Sequence, residues 1–159
     1  MEIEKAVKKV KEIVEEKGYK RVVVHLPAGL MRFWKEFKSC ADEVYFVADP
    51  CYGACDIPFH YLKKIKAEAI FNLGHSKPKY LKKLSNVHFV EFQIDFKPRF
   101  VPPYKRVGLV YVIQYRDAAM TYAEELRKRG KEVILGKEPG FMATYKGQIT
   151  GCDIEAARK

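Results

Sequence analysis

The sequence has 159 residues, 48% of them hydrophobic, with 30 Lys and Arg against 20 Asp and Glu and a formal net charge of +10. That length and apolar share exclude a mainly disordered chain and allow one ordinary domain, or one domain with part of another. No apolar run approaches the roughly 20 residues that a helical membrane span needs, the N-terminus is charged from Glu2 onward, and no RNA-recognition motif of interleaved aromatic and basic residues is present, so the expectation is a cytoplasmic protein without a membrane role and with nucleic acid only as a side reading.

Ile3, Ala6, Val7, Val10, Ile13 and Val14 recur at three- and four-residue spacing, which predicts an amphipathic helix over residues 3–17 closed by Gly18. Residues 21–26 are a β-branched run of the kind buried on both faces of a parallel sheet, ended by Pro27-Ala28-Gly29. A helix over 30–37 carries the only tryptophan, Trp34. Strands are predicted at 43–47, 69–73 and 87–92, with a helix at 57–66 between the first two. Alternation of strands and helices at this spacing implies a parallel sheet with right-handed crossovers.

Residues 97–104 contain three prolines, which suits an extended connection. The pattern then restarts with a strand at 106–113, a helix at 118–129 ended by Gly130, a strand at 132–135 and a Gly-containing loop to Thr150. Residues 151–159 read as the first turns of a further helix. The expected fold is therefore α/β: a four-stranded parallel sheet covered by helices over residues 1–97, a proline-rich linker over 98–104, and the first part of a second similar α/β domain over 105–159.

Ligands of open α/β sheets collect beyond the carboxyl ends of the strands. Polar and cysteine-bearing groups fall there repeatedly: Pro27-Ala28-Gly29, Asp49 to Asp56, Gly74-His75-Ser76, Gln114-Tyr115 and the loop leading to Cys152. Four cysteines in a reducing compartment point to metal binding or catalysis before disulfides. Cys40, at a helix end next to Ser39 and with no polar partner in sequence, reads as a buried structural thiol. Cys51 and Cys55 form a C-x3-C pair, a spacing that is open between a metal site, a redox pair and packing. Cys152, between Gly151 and Asp153 at an expected helix N-terminus, should have its thiol pKa lowered there. His75 is a candidate ligand-contacting residue; His25, His60 and His88 read as packing or surface positions.

Taken together, Pro27-x-Gly29-Leu30, Tyr52-Gly53-Ala54-Cys55-Asp56, Leu73-Gly74-His75-Ser76 and Gly147-Gln148-x-x-Gly151-Cys152-Asp153 resemble, in order and spacing, the archaeal diphthamide-synthesis 3-amino-3-carboxypropyltransferases. The resemblance implies three similar α/β domains, each giving one cysteine to a [4Fe-4S] cluster, and a radical-type transfer of the aminocarboxypropyl group of S-adenosylmethionine to a histidine of translation elongation factor 2. On it, Cys55 and Cys152 are the metal ligands, with Cys51 as an alternative or additional one. Pro27, Gly29, Gly74, His75, Ser76 and Gln114 fall on positions near the cofactor. Ala28 departs from the family's acidic residue, Cys51 is an extra thiol, and the third domain with its cysteine is not among these residues. Since a cubane with one open iron needs three protein ligands, the missing thiolate is expected from Cys51 or from a second chain, as in a homodimer or a split enzyme. Competing readings are a non-catalytic subunit or scaffold of the same pathway, and an iron-sulfur enzyme similar to quinolinate synthase.

Overall fold

The computed structural model describes residues 2–81 and 84–158. Two compact units are formed, Met1–Lys77 with Leu81–Phe92, and Pro78–Tyr80 with Gln93–Lys159. No helix among the described residues is long and apolar enough to cross a membrane.

The first unit opens with helix α1 (Glu2–Lys17), which buries Ile3, Ala6, Val10 and Val14 and turns its charged residues outward. Strands β1 (Arg21–His25), β2 (Glu43–Phe46), β3 (Ala69–Leu73) and β4 (Val87–Val90) form a parallel sheet in the order β2-β1-β3-β4. Every residue of β3 is buried, as its near-continuous apolar sequence requires of a strand covered on both faces. One face packs Val22, Val24, Phe71 and Leu73 against α1 and against Phe37 of the short helix α2 (Trp34–Phe37). On the other face Val23, Ile70 and Val87 meet Tyr61, Leu62 and Ile65, carried by or next to helix α3 (His60–Lys64).

In the first unit three elements depart from their expected spans by more than a residue. The helix expected over 57–66 is a single turn, because Pro58 disfavours helical backbone at Ile57 and Lys66 takes a left-handed conformation with φ 52°. Much of the segment expected as a helix over 30–37 is 3₁₀, spanning Ala28–Phe33 before α2 begins. The fourth strand stops at Val90 rather than residue 92, since Gly74 turns its partner strand away at φ 81° while its N–H bonds the Val90 carbonyl at 2.8 Å.

In the second unit, β5 (Arg106–Leu109) and β6 (Glu132–Leu135) pair in parallel, joined by helix α4 (Arg116–Lys128). β5 ends four residues before the expected 113. The ladder runs out with the four residues of β6, after which Tyr111 bonds to Gly147 and Ile149 instead. Residues 97–101 have no regular structure and lie along α4, where the Tyr122 hydroxyl donates to the Phe100 carbonyl. Arg116 stacks over the Tyr145 ring at 4.0 Å, tying α4 to the loop that precedes Gln148.

Candidate metal and cofactor site

β1, β2 and β3 end side by side, and the turn from Cys51 to Asp56 follows β2 at that edge. The turn is closed internally by Asp56 N–H to the Gly53 carbonyl at 3.1 Å and by Tyr52 N–H to an Asp56 carboxylate oxygen at 3.1 Å. It is also held to the sheet, since the Cys51 N–H donates to the Leu26 carbonyl at 2.8 Å. The two ring nitrogens of His25 face the carbonyls of Asp56 at 3.1 Å and Asp49 at 3.2 Å.

The two thiols of the C-x3-C pair live in different environments. Cys51 is buried; its Sγ donates to the Gly53 carbonyl at 3.2 Å and accepts from Asn72 Nδ2 at 3.3 Å. Burial pushes its thiol up to about 11, against the Gly53 and Asn72 hydrogen bonds, so it is protonated near neutral pH. Cys55 is exposed at the crest of the turn. Cys40 lies in the core as expected, with burial pushing its thiol to about 11 as well. His25, Cys51 and Asp56 place one donor atom each within 4.8 Å of one another. Those of His25 and Cys51 are engaged in holding the turn, which makes the trio a structural knot in this conformation.

Around this turn, Pro27 is half-buried and caps the 3₁₀ segment by accepting from the Leu30 N–H at 2.8 Å, while Gly29 is exposed. A Cβ on Gly74 would sit 3.3 Å from Pro27 Cγ, so the left-handed residue 74 packs directly on Pro27. Ser76 is buried. His75 donates from Nδ1 to Asn72 Oδ1 at 2.8 Å, and burial holds its ring below the ordinary histidine pKa although the Leu73 carbonyl opposes this. The first unit thus brings Pro27, Gly74 and His75 to the strand edge that bears the Cys51 to Asp56 turn.

In the second unit Gln114 lies in the 3₁₀ turn Ile113–Tyr115, its carbonyl accepting from the Ile94 N–H at 2.7 Å. Cys152 is exposed, but the helix expected to begin there does not form. Residues 150–153 make a tight turn bridged between Thr150 and Asp153, and only the three-residue 3₁₀ turn Glu155–Ala157 follows. No helix N-terminus therefore stands at Cys152.

Two residues next to Cys152 do structural work that sequence reasoning missed. Gln148 is 1% exposed, and its Oε1 accepts from the N–H groups of Thr144 at 2.9 Å and Tyr145 at 3.0 Å. The Asp153 carboxylate accepts from the N–H groups of Gly140, Met142, Ala143 and Glu155 at 2.9–3.3 Å. Burial disfavours the charge, but these four donors outweigh it and hold the carboxyl below the usual aspartate range. In the first unit Asn72 was missed, although a lone amide inside an otherwise apolar, fully buried strand is a signal in itself, because such a group must find partners.

Comparison with known proteins places these motifs in a family. Residues 26–159 match the family described as "Putative diphthamide synthesis protein". The curated 2-(3-amino-3-carboxypropyl)histidine synthase of Pyrococcus horikoshii is 28% identical over 165 residues, taking in 89% of this chain and 44% of the relative. Two crystal structures of Dph2 from Pyrococcus horikoshii, one of them with a 4Fe-4S cluster, superpose with TM-scores of 0.77 and 0.76 at 23% identity. Each comparison covers 96% of this chain, and 49% and 48% of the respective solved chains. At that identity the solved structures establish the fold, and the chain spans about half the length of the relatives it matches. The matched stretch runs from the end of β1 through both exposed cysteines, and the chain belongs to the diphthamide synthesis protein family.

Proposed function

We propose that this chain acts in diphthamide biosynthesis, in the transfer of a 3-amino-3-carboxypropyl group from S-adenosylmethionine to a histidine of translation elongation factor 2, either as an enzyme or as a portion of one. The observation that carries the reading is the difference between the thiols within the family-matched span: Cys55 and Cys152 are exposed, whereas Cys40 and Cys51 are buried. Iron entering an empty site reaches an exposed cysteine without rearrangement, whereas a buried one must first be uncovered. Cys55 and Cys152 meet that condition as they stand, whereas Cys40 and Cys51 are packed in the interior.

Cys55 and Cys152 would hold a [4Fe-4S] cluster, with Cys55 preferred over Cys51. Such a cluster supplies an open iron for the methionine moiety and the electron that cleaves its sulfur to γ-carbon bond. Pro27, Gly29, Gly74, His75, Ser76 and Gln114 are the residues proposed to contact S-adenosylmethionine. His75, kept neutral by its burial, can do so through a hydrogen bond without adding charge. Two thiolates leave a cubane one short of its three protein ligands, so the reading includes a third from Cys51 or from further protein, such as a homodimer partner or a companion subunit.

Anaerobic reconstitution tests the ligands. The wild-type protein should turn brown with sulfur-to-iron charge-transfer absorption, and Cys55→Ala and Cys152→Ala should each lose most of it, while Cys40→Ala should not. Full cluster content in both of the first two variants would overturn the assignment. A protein that stays colourless even with its partner chain present supports the scaffold reading instead.

A further inference from the structure

Cys55 is the exposed thiol of its turn, and the backbone on both sides of it is fixed by buried polar side chains that belong to other strands. Asn72, the fourth of the five residues of β3, is 0% exposed. Its orientation is set by chemistry: the Gly53 carbonyl can only accept, so Nδ2 faces it at 3.3 Å. The same Nδ2 reaches Cys51 Sγ at 3.3 Å, and Oδ1 is left to accept from His75 Nδ1 at 2.8 Å. Asn72 therefore grips the turn two residues before Cys55. His25, 2% exposed at the end of β1, sets one ring nitrogen 3.1 Å from the carbonyl of Asp56, one residue after, and the other 3.2 Å from the Asp49 carbonyl; its single N–H in the neutral ring donates to one of the two.

We infer that Asn72, together with His25, is a positioning residue for the Cys55 thiolate, fixing the Cys51 to Asp56 turn so that the ligand sulfur is presented in one place before any cluster binds. The inference rests on the reading of Cys55 as a cluster ligand. A ligand carried on an unanchored turn would have to be ordered at the moment of binding, whereas one held by strand-borne groups is preorganised, and the groups that orient a ligand affect metal retention nearly as much as the ligand does. The buried thiol of Cys51 takes part in the same grip, as donor to Gly53 and acceptor from Asn72. This gives the extra cysteine a role in shaping the turn.

The test uses the full chain with Cys152→Ala, so that Cys55 is its exposed thiol. In the iron-free protein an aromatic disulfide reagent should titrate Cys55 rapidly and leave Cys51 slow. Adding Asn72→Leu, or the isosteric Asn72→Asp, should release Cys51 to rapid reaction while far-UV circular dichroism keeps the parent spectrum. With Cys152 restored and the protein reconstituted anaerobically, the same substitutions should lower iron retention by about 10- to 100-fold and change the line shape of the reduced cluster's electron paramagnetic resonance signal. Unchanged thiol kinetics and an unchanged line shape in both variants would overturn the proposal. The unmutated iron-free protein gives an answer that no misfolded variant can cloud: the amides of Cys51 and Asp56 should exchange at least about 100-fold more slowly than in a free chain. Exchange at the free-chain rate would overturn the preorganised turn. Lack of iron in the unmutated protein strikes the cluster reading, while thiol kinetics and amide exchange still decide the positioning role.

Discussion

Asp153 shows how one side chain shapes the surroundings of a candidate ligand. Its carboxylate collects four backbone N–H groups, and Gly140 is the residue that lets the backbone come this close, since a Cβ there would stand 2.9 Å from both carboxylate oxygens. Because the folded pKa lies below the unfolded value near 3.8, the stabilisation is fully present above the ordinary aspartate range and is lost as pH falls through the folded pKa. Asp153→Asn should therefore destabilise the protein by about 1.5–3 kcal/mol at pH 7. In urea titrations the gap between wild type and variant should close progressively as the pH is taken below about 4; a pH-independent gap would rule out the charge as the cause. Gly74 offers a second residue-scale check. Its φ of 81° and its approach to Pro27 make Gly74→Ala costly by about 1–2 kcal/mol, read as a lowered urea midpoint. The cysteine, histidine and glycine positions of the site were legible in the sequence because their types and strand-end placement carry chemistry by themselves. Asn72 and Asp153 were not, because only the fold brings Cys51 and Gly53 to the one and Gly140, Met142 and Ala143 to the other, and Gln148 was not, because its bonds to the Thr144 and Tyr145 N–H groups depend on the conformation of the loop.

At the scale of elements, the sequence announced what repeats and concealed what is cut short. α1, β1, β2, β3 and β6 stand within a residue or two of their expected spans, since their apolar periodicity is set by burial against the sheet. The elements that came out shorter end for reasons of pairing and local backbone. β4 and β5 stop where their partner strands stop, α3 is confined between Pro58 and the left-handed Lys66, and the segment after Cys152 never closes a helical turn beyond residues 155–157. The sheet itself should dominate stability. Phe71 is fully buried in β3 and stacks on His88 with ring centroids 5.1 Å apart, so Phe71→Ala should cost about 3–5 kcal/mol in urea unfolding. A loss under about 1 kcal/mol would mean that the first unit's core is not packed as described.

At the scale of the whole molecule, the two units differ in how much core they own. The first has a four-stranded sheet covered on both faces, whereas the second has a two-stranded sheet, and two strands are marginal as a core by themselves. Its Phe100, Tyr104, Phe141 and Ile154 are each more than half exposed, which suits a unit completed by further protein. The same conclusion follows from ligand number, because two exposed thiols do not satisfy a cubane that keeps one iron open. The central claim, that this member of the diphthamide synthesis family carries cluster-binding cysteines, meets its most direct test in the iron and acid-labile sulfide content of the wild-type protein, reconstituted anaerobically and then desalted. Iron and sulfide retained together in equal amounts are the predicted result, and a protein that leaves the column free of both would contradict it.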